Sequence, residues 1–104
     1  MTPLIFGYMR VNDDMSDEEA ARKQDAMSAY AEANGFQLAV VFHEYVSGAQ
    51  TVFTEMVDVV RQARARHVIV TSYRELALNR SLQDAMTLHL SCAADADIIS
   101  LDEC

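Results

Sequence analysis

Residues that break regular structure are scarce in this chain, which has one proline, three glycines and no tryptophan in 104 residues. Together with 51% hydrophobic residues, that scarcity excludes a linker, a collagen-like repeat and a disordered tail. Cysteine is scarce too. Cys92 and Cys104 have neither CxxC spacing nor a flanking histidine pair, which excludes a zinc framework. Cys92 is expected to be a buried structural residue near a helix end. No apolar run approaches the ~20 residues of a membrane span. The opening Met1-Thr2-Pro3-Leu4-Ile5-Phe6 lacks the basic segment and small-residue cleavage site of a secretory signal. These absences lead to the expectation of a reducing, cytoplasmic setting and no membrane association.

Lysine is the scarcest charge. Lys23 is the only one, and eight basic against sixteen acidic residues leave a formal net charge of −8. A protein that binds DNA by itself neutralises phosphates with a Lys/Arg patch. Arg61, Arg64 and Arg66 are the best cluster on offer, so weak or no DNA binding is expected of the chain alone. His43, His67 and His89 have no metal-ligand spacing. Neither a metal nor a cofactor is expected.

The chain does carry a regular alternation. Residues 4–11 are short, apolar and rich in β-formers, and read as a buried strand. Asn12-Asp13-Asp14 marks a turn. Ser16-x-x-Glu19 is a capping box, with Asp17 and Glu18 where the helix dipole favours acids. A helix follows from Asp17 to Asn34, its inner face carrying Ala20, Gln24, Met27, Tyr30 and Ala31, and Gly35 supplies the left-handed stop. Residues 36–45 form a second strand, and Ser47-Gly48-Ala49-Gln50 a loop. A second helix spans Phe53 to Arg66, with Met56, Val59, Val60 and Ala63 inward. His67–Thr71 is a third strand. A third helix runs from Ser81 to Cys92 with Leu82, Ala85, Met86 and His89 as its stripe, and residues 98–101 are a last strand.

This alternation predicts one α/β domain: a mostly parallel sheet of four to five strands with helices on both faces, a three-layer sandwich. Ligands gather beyond the carboxyl ends of such strands. The loops that meet there are Arg10–Met15, Tyr45–Thr51 and Thr71–Arg80.

Those loops carry a pattern. Gly7-Tyr8-Met9-Arg10-Val11-Asn12 resembles the Gly-Tyr-x-Arg-Val-Ser opening of the serine recombinases, the resolvase and invertase family. Gln24 and the run Ala26–Phe36 resemble that family's first helix and its exit. Val46-Ser47-Gly48 resembles its Val-Ser-Gly loop. Asn79-Arg80-Ser81-Leu82-Gln83-Asp84 resembles its Arg-Ser-Leu-x-Asp segment, and Ile99–Glu103 the last strand of its core. The resemblance covers nearly the whole chain in order. It implies the resolvase catalytic-core fold and DNA strand cleavage by a serine that attacks phosphate, assisted by a cluster of arginines.

The chemical positions depart from that pattern. Asn12 stands where the resemblance places the nucleophilic serine, and an amide is not a nucleophile for this reaction. Arg10 matches one arginine. The arginine expected after the Ser-Gly loop falls near Phe53 or Thr54 and is absent. Glu75-Leu76 replaces an Asp-Arg pair. The last arginine falls on Arg80 if one residue is inserted, and on Asn79 if not. Tyr8, Gln24 and Ser47 keep family positions, while Asp13 and Asp14 would oppose a phosphate. Two readings of Arg10 stand: a relict phosphate ligand, or a structural partner of Asp13, Asp14 or Glu75. Gln24 either points to the site or bonds a loop backbone at the edge of the core. Tyr73-Arg74, expected to be exposed, is a candidate contact.

The resemblance also implies a long dimer helix and a DNA-binding domain after the core. Neither follows within residues 1–104, so a monomer or weak homodimer is expected. Three functions remain in view. The first is an inactive recombinase-like domain acting through an unidentified protein partner, as a regulator or accessory factor. The second is a divergent recombinase subunit that needs a partner, its nucleophile drawn from Ser47, Thr51, Thr71 or Ser72. The third is an acidic mimic of DNA.

Overall fold

The computed structural model describes residues 2–45 and 49–103. Four strands, β1 (Leu4–Arg10), β2 (Gln37–Glu44), β3 (His67–Val70) and β4 (Asp97–Ser100), alternate with helices α1 (Asp17–Ala33), α2 (Thr51–Ala63) and α3 (Arg80–Ala94). The sheet is wholly parallel, in the order β2-β1-β3-β4. From β1 the chain moves outward through α1 to β2. It then crosses back through α2 to β3 and continues through α3 to β4. Right-handed crossovers in opposite directions put helices on opposite faces. Met27 and Ala31 of α1 pack on Ile5, Met9 and Ile69 on one face. Phe53, Met56, Val57 and Val60 of α2 and Met86 and Leu90 of α3 pack on Phe6, Tyr8, Val68 and Val70 on the other. The result is the three-layer α/β sandwich expected from the alternation.

Local chemistry sets the ends of α1. Ser16 Oγ accepts from the Glu19 amide, 3.1 Å, at its start. At its end Gly35 takes φ +77°, and the amides of Gly35 and Phe36 close back on the carbonyls of Glu32 and Ala31. α2 stops three residues before the expected Arg66, because Arg64 turns left-handed at φ 57° and releases the chain into β3.

Several inward faces differ from the sequence-based expectation. In α2 the buried line is Phe53, Met56, Val57 and Val60, while Val59 is 38% exposed and Ala63 lies outside. The helix begins at Thr51, and the i, i+3, i+4, i+7 set from Phe53 is the one that meets the sheet. In α3 the buried line is Met86, Leu90 and Ala94, not Leu82, Ala85 and His89. Gln83 Nε2 donates to the Ala77 carbonyl at 2.7 Å, which turns that side of the helix toward the chain before it. Cys92 is exposed rather than buried, for the same reason of helix phase.

An irregularity in the β1–β2 pairing also matters. Ile5 pairs with Leu38 but Gly7 with Val41, so β2 carries an extra residue there. Leu38 and Val41 consequently share the α1 face while Phe42 packs on the other. Gly7 leaves no room for a side chain: an added Cβ would lie 2.8 Å from Met27 Sδ of α1 and 3.1 Å from Val41 Cγ2 of β2. Gly7→Ala should therefore destabilise the domain by about 1–3 kcal/mol through overpacking. The denaturant midpoint measures it, and a midpoint unchanged from wild type would show that α1 yields there without cost.

Candidate functional site

The strand order reverses between β1 and β3, and a crevice opens at their carboxyl ends. It is a cleft of about 510 Å³, lined by Arg10, Val11 and Asn12 after β1, Lys23 of α1, Glu44 of β2, and Arg74, Glu75, Ala77, Leu78, Asn79 and Leu82 from the segment into α3. Two of the three expected loops thus contribute its walls. Ser47 lies outside the described residues.

Arg10 is the centre of the arrangement. Its Nε donates to the Leu76 carbonyl at 3.1 Å, a terminal nitrogen donates to the same carbonyl, and the other terminal nitrogen donates to the Ala49 carbonyl at 2.8 Å. The guanidinium also lies 5.9 Å from the centroid of the Tyr8 ring. It forms no ion pair among the described residues; it pins the second and third loops to the end of β1. Of the two readings of Arg10, the structural one holds in another form: its side chain bonds backbone carbonyls rather than Asp13, Asp14 or Glu75. Only the Arg10 backbone amide reaches Glu75, at 3.4 Å. Asp13 and Asp14 sit in an exposed turn closed by the Met15 amide on the Asn12 carbonyl, and neither lines the cleft.

Glu75 is buried and accepts from Lys23 Nζ at 2.5 Å and Thr71 Oγ1 at 3.2 Å. Lys23, the only lysine of the chain, takes the inward helix position expected for Gln24. Gln24 is exposed and contacts His43 Nε2 at 3.2 Å, away from the cleft. Lys23 (i, i+4) and Gln24 (i, i+3) both fit the spacing to Met27, so periodicity did not choose between them. Leu76 is fully buried in the core beneath α2 and α3. The position where the resemblance calls for an arginine therefore faces away from the cleft.

Glu44, which sequence reasoning passed over, completes the site. Its carboxylate is 3% exposed. It accepts from the Tyr8 hydroxyl at 2.9 Å and from the amides of Val52 and Phe53 at 3.3 and 3.2 Å. It thereby caps α2, whose own N-cap residue, Gln50, makes no side-chain cap. A carboxylate at a strand end seven residues before an uncapped helix was the available signal. Burial first, and then the Glu44 bond, push the Tyr8 phenol above its ordinary range. A fully buried, firmly protonated hydroxyl is not an attacking group.

The remaining candidates separate. Asn79 caps α3, its Oδ1 accepting from the Leu82 amide at 3.2 Å. Arg80 is exposed and lines a neighbouring cleft of about 410 Å³ with Ser72, Arg74, Asp84 and Asp102, apart from Arg10 and Asn12. Ser72 Oγ accepts from the Arg74 amide at the head of a 3₁₀ turn, Tyr73–Glu75. Tyr73 is half-buried and Arg74 exposed. No helix among the described residues is long and apolar enough to cross a membrane.

The family model described as the resolvase N-terminal domain matches residues 5–104. Among solved structures, the chain is similar to the N-terminal catalytic domain of TP901-1 integrase, at 22% identity and TM-score 0.76, over 96% of this chain and 78% of that one. It is also similar to a resolvase family site-specific recombinase from Streptococcus pneumoniae, at 15% identity and TM-score 0.76, over 97% and 73%. The C-terminal catalytic domain of ISC1926 TnpA, an IS607-like serine recombinase, superposes at 19% identity and TM-score 0.78, over 94% and 67%. No curated protein matches.

Proposed function

The chain belongs to the resolvase family through its N-terminal domain, and from that premise we propose that it is a catalytically inactive recombinase-like domain acting through protein contacts, as a regulator or accessory factor. One observation carries this reading. Among the described residues that line the crevice, none bears a hydroxyl or a thiol; Asn12, where the resemblance sets the nucleophile, is one of them. The nearby hydroxyls are engaged in structural bonds: Tyr8 to Glu44, and Thr71 to Glu75. Of the arginines that would stabilise a transferring phosphoryl group, Arg10 is held by backbone carbonyls and Arg80 sits in the adjoining cleft. Electrostatic stabilisation dominates phosphoryl transfer. The net charge of −8 argues in the same direction, against DNA as a partner of the chain alone.

A second reading, a divergent recombinase subunit, draws on one specific contact. Arg10 reaches the Ala49 carbonyl, and Ser47 is two positions earlier in the sequence.

The test is covalent capture of end-labelled supercoiled and nicked DNA on a denaturing gel. Neither the parent nor Asn12→Ser should form an adduct. Each missing charge-stabilising donor costs on the order of 10²–10³ in rate, and members of one catalytic unit are strongly non-additive. An adduct with Asn12→Ser alone would overturn the reading by showing that only the serine was lost. An adduct with the parent that disappears in Ser47→Ala would establish the second reading.

A further inference from the structure

The exit of α1 holds a chemistry that the crevice does not use. Asn34 is the C-cap residue of the helix, and Gly35 follows it. Asn34 is exposed, and its Nδ2 donates to the Tyr30 carbonyl at 2.9 Å. Gly35 sits at φ +77°, and a Cβ built on it would meet nothing within 4 Å. Its amide reaches the Glu32 carbonyl at 3.4 Å, the longest of the bonds that close this turn; the Asn34 amide is 3.0 Å from the Tyr30 carbonyl and the Phe36 amide 2.8 Å from that of Ala31. An exposed carboxamide thus adjoins a backbone nitrogen that has no flanking side chain and is weakly held.

We infer that Asn34 is a site of spontaneous covalent modification, at which water converts the asparagine to isoaspartate and aspartate through a cyclic imide. The Gly35 nitrogen gives its proton to hydroxide and attacks Asn34 Cγ. The N–Cγ bond forms and the Cγ–Nδ2 bond breaks. Ammonia leaves with a proton from water, which regenerates the hydroxide. Water then opens the five-membered ring. Cleavage of the new N–Cγ bond gives aspartate. Cleavage of the bond from that nitrogen to the Asn34 carbonyl carbon gives isoaspartate, whose main chain runs through Cγ. Ring closure requires Nδ2 to leave Tyr30 and the Gly35 amide to leave Glu32. Both bonds belong to the last turn of a helix, where opening is local. The other two asparagines lack this arrangement: Asn12 is followed by Asp13 and Asn79 by Arg80, so a side chain flanks each attacking nitrogen. Asn79 Oδ1 is also held by the Leu82 amide at 3.2 Å.

The modification has a structural consequence. Either product sets a carboxylate at the negative end of α1, whose last turn has no basic residue and already carries Glu32. Isoaspartate also lengthens the backbone by one carbon ahead of Phe36, which packs on the α1 face of the sheet and edge-on to His67. Conversion should loosen the α1–β2 connection and lower the unfolding midpoint. The inference is independent of the proposed function, because it does not involve the crevice.

The test is peptide mass spectrometry on the full folded chain after ageing at mildly alkaline pH. The peptide that holds Asn34 should gain the mass difference between an amide and an acid, and a protein-isoaspartate methyltransferase should label it. Asn34 should convert at least about tenfold faster than Asn12 or Asn79, the equivalent of about 1.4 kcal/mol in barrier. Asn34→Gln, which would have to close a six-membered ring, should remain unlabelled there and keep its unfolding midpoint through ageing. The urea-unfolded chain should react faster at Asn34 than the folded chain, because the cap no longer holds Nδ2. An aged chain that keeps all its asparagine amides overturns the inference. So do equal rates at Asn12, Asn34 and Asn79, or a product that is aspartate alone. An aged wild-type midpoint that falls no further than that of Asn34→Gln overturns the structural consequence.

Discussion

Leu76→Arg is expected to cost the domain most or all of its stability. Leu76 is fully buried in the cluster that contains Tyr8, Phe53, Val70 and Leu90. The substitution forfeits about 1.5–3 kcal/mol of apolar burial. It also places a guanidinium among side chains that offer it no partner, and an uncompensated buried charge costs about 3–5 kcal/mol. Domains of this kind have about 5–15 kcal/mol in total. Denaturant unfolding followed by circular dichroism should therefore show a midpoint shifted by at least half, or no cooperative transition. A loss under about 1 kcal/mol would mean that the side chain escapes into the crevice, and that this segment can present an arginine to a phosphate after all. The result bears on function. If Leu76 is core, an arginine cannot be brought to the crevice from this position by one substitution; on the proposed reading, that would require rebuilding the segment from Thr71 to Asn79.

Glu44→Ala is expected to be the next most damaging change, at about 2–4 kcal/mol. Three donors converge on this carboxylate: the Tyr8 hydroxyl and the amides of Val52 and Phe53. Removing it strands a buried hydroxyl, at about 1–3 kcal/mol, and takes the cap from α2, at about 0.5–2 kcal/mol. Tyr8→Phe removes one donor and leaves the cap in place, so it should cost about 1 kcal/mol. The two changes should be non-additive, because Tyr8→Phe removes the group that Glu44→Ala leaves unsatisfied. Chemical denaturation of the two single variants and the double variant measures the coupling. Additive losses would show that Glu44 acts on α2 alone. A Glu44→Ala variant as stable as wild type would show that water replaces the carboxylate, and the site would then be softer than its hydrogen bonds imply.

The order of elements, the parallel sheet and the crevice at the strand ends were all determined by the sequence alone. These rest on local chemistry: β-rich runs, the Ser16 cap, the Gly35 stop and short connections that force right-handed crossovers. The resemblance that sets Asn12 at the family's nucleophile position was read from the sequence too. Tertiary structure decided which way the side chains face. α3 carries apolar residues on two sides, and periodicity cannot choose between Met86–Leu90–Ala94 and Leu82–Ala85–His89; packing against the sheet does. Lys23 and Gln24 are adjacent in sequence, and only the seating of α1 on β1 sends the lysine to Glu75 and the glutamine to His43. The burial of Leu76, the capping of α2 by Glu44 and the spending of Arg10 on two carbonyls all join residues 8 to 66 positions apart. Contacts at that separation depend on how the layers dock; apart from the position of Glu44 just ahead of α2, no local pattern in the chain encodes them.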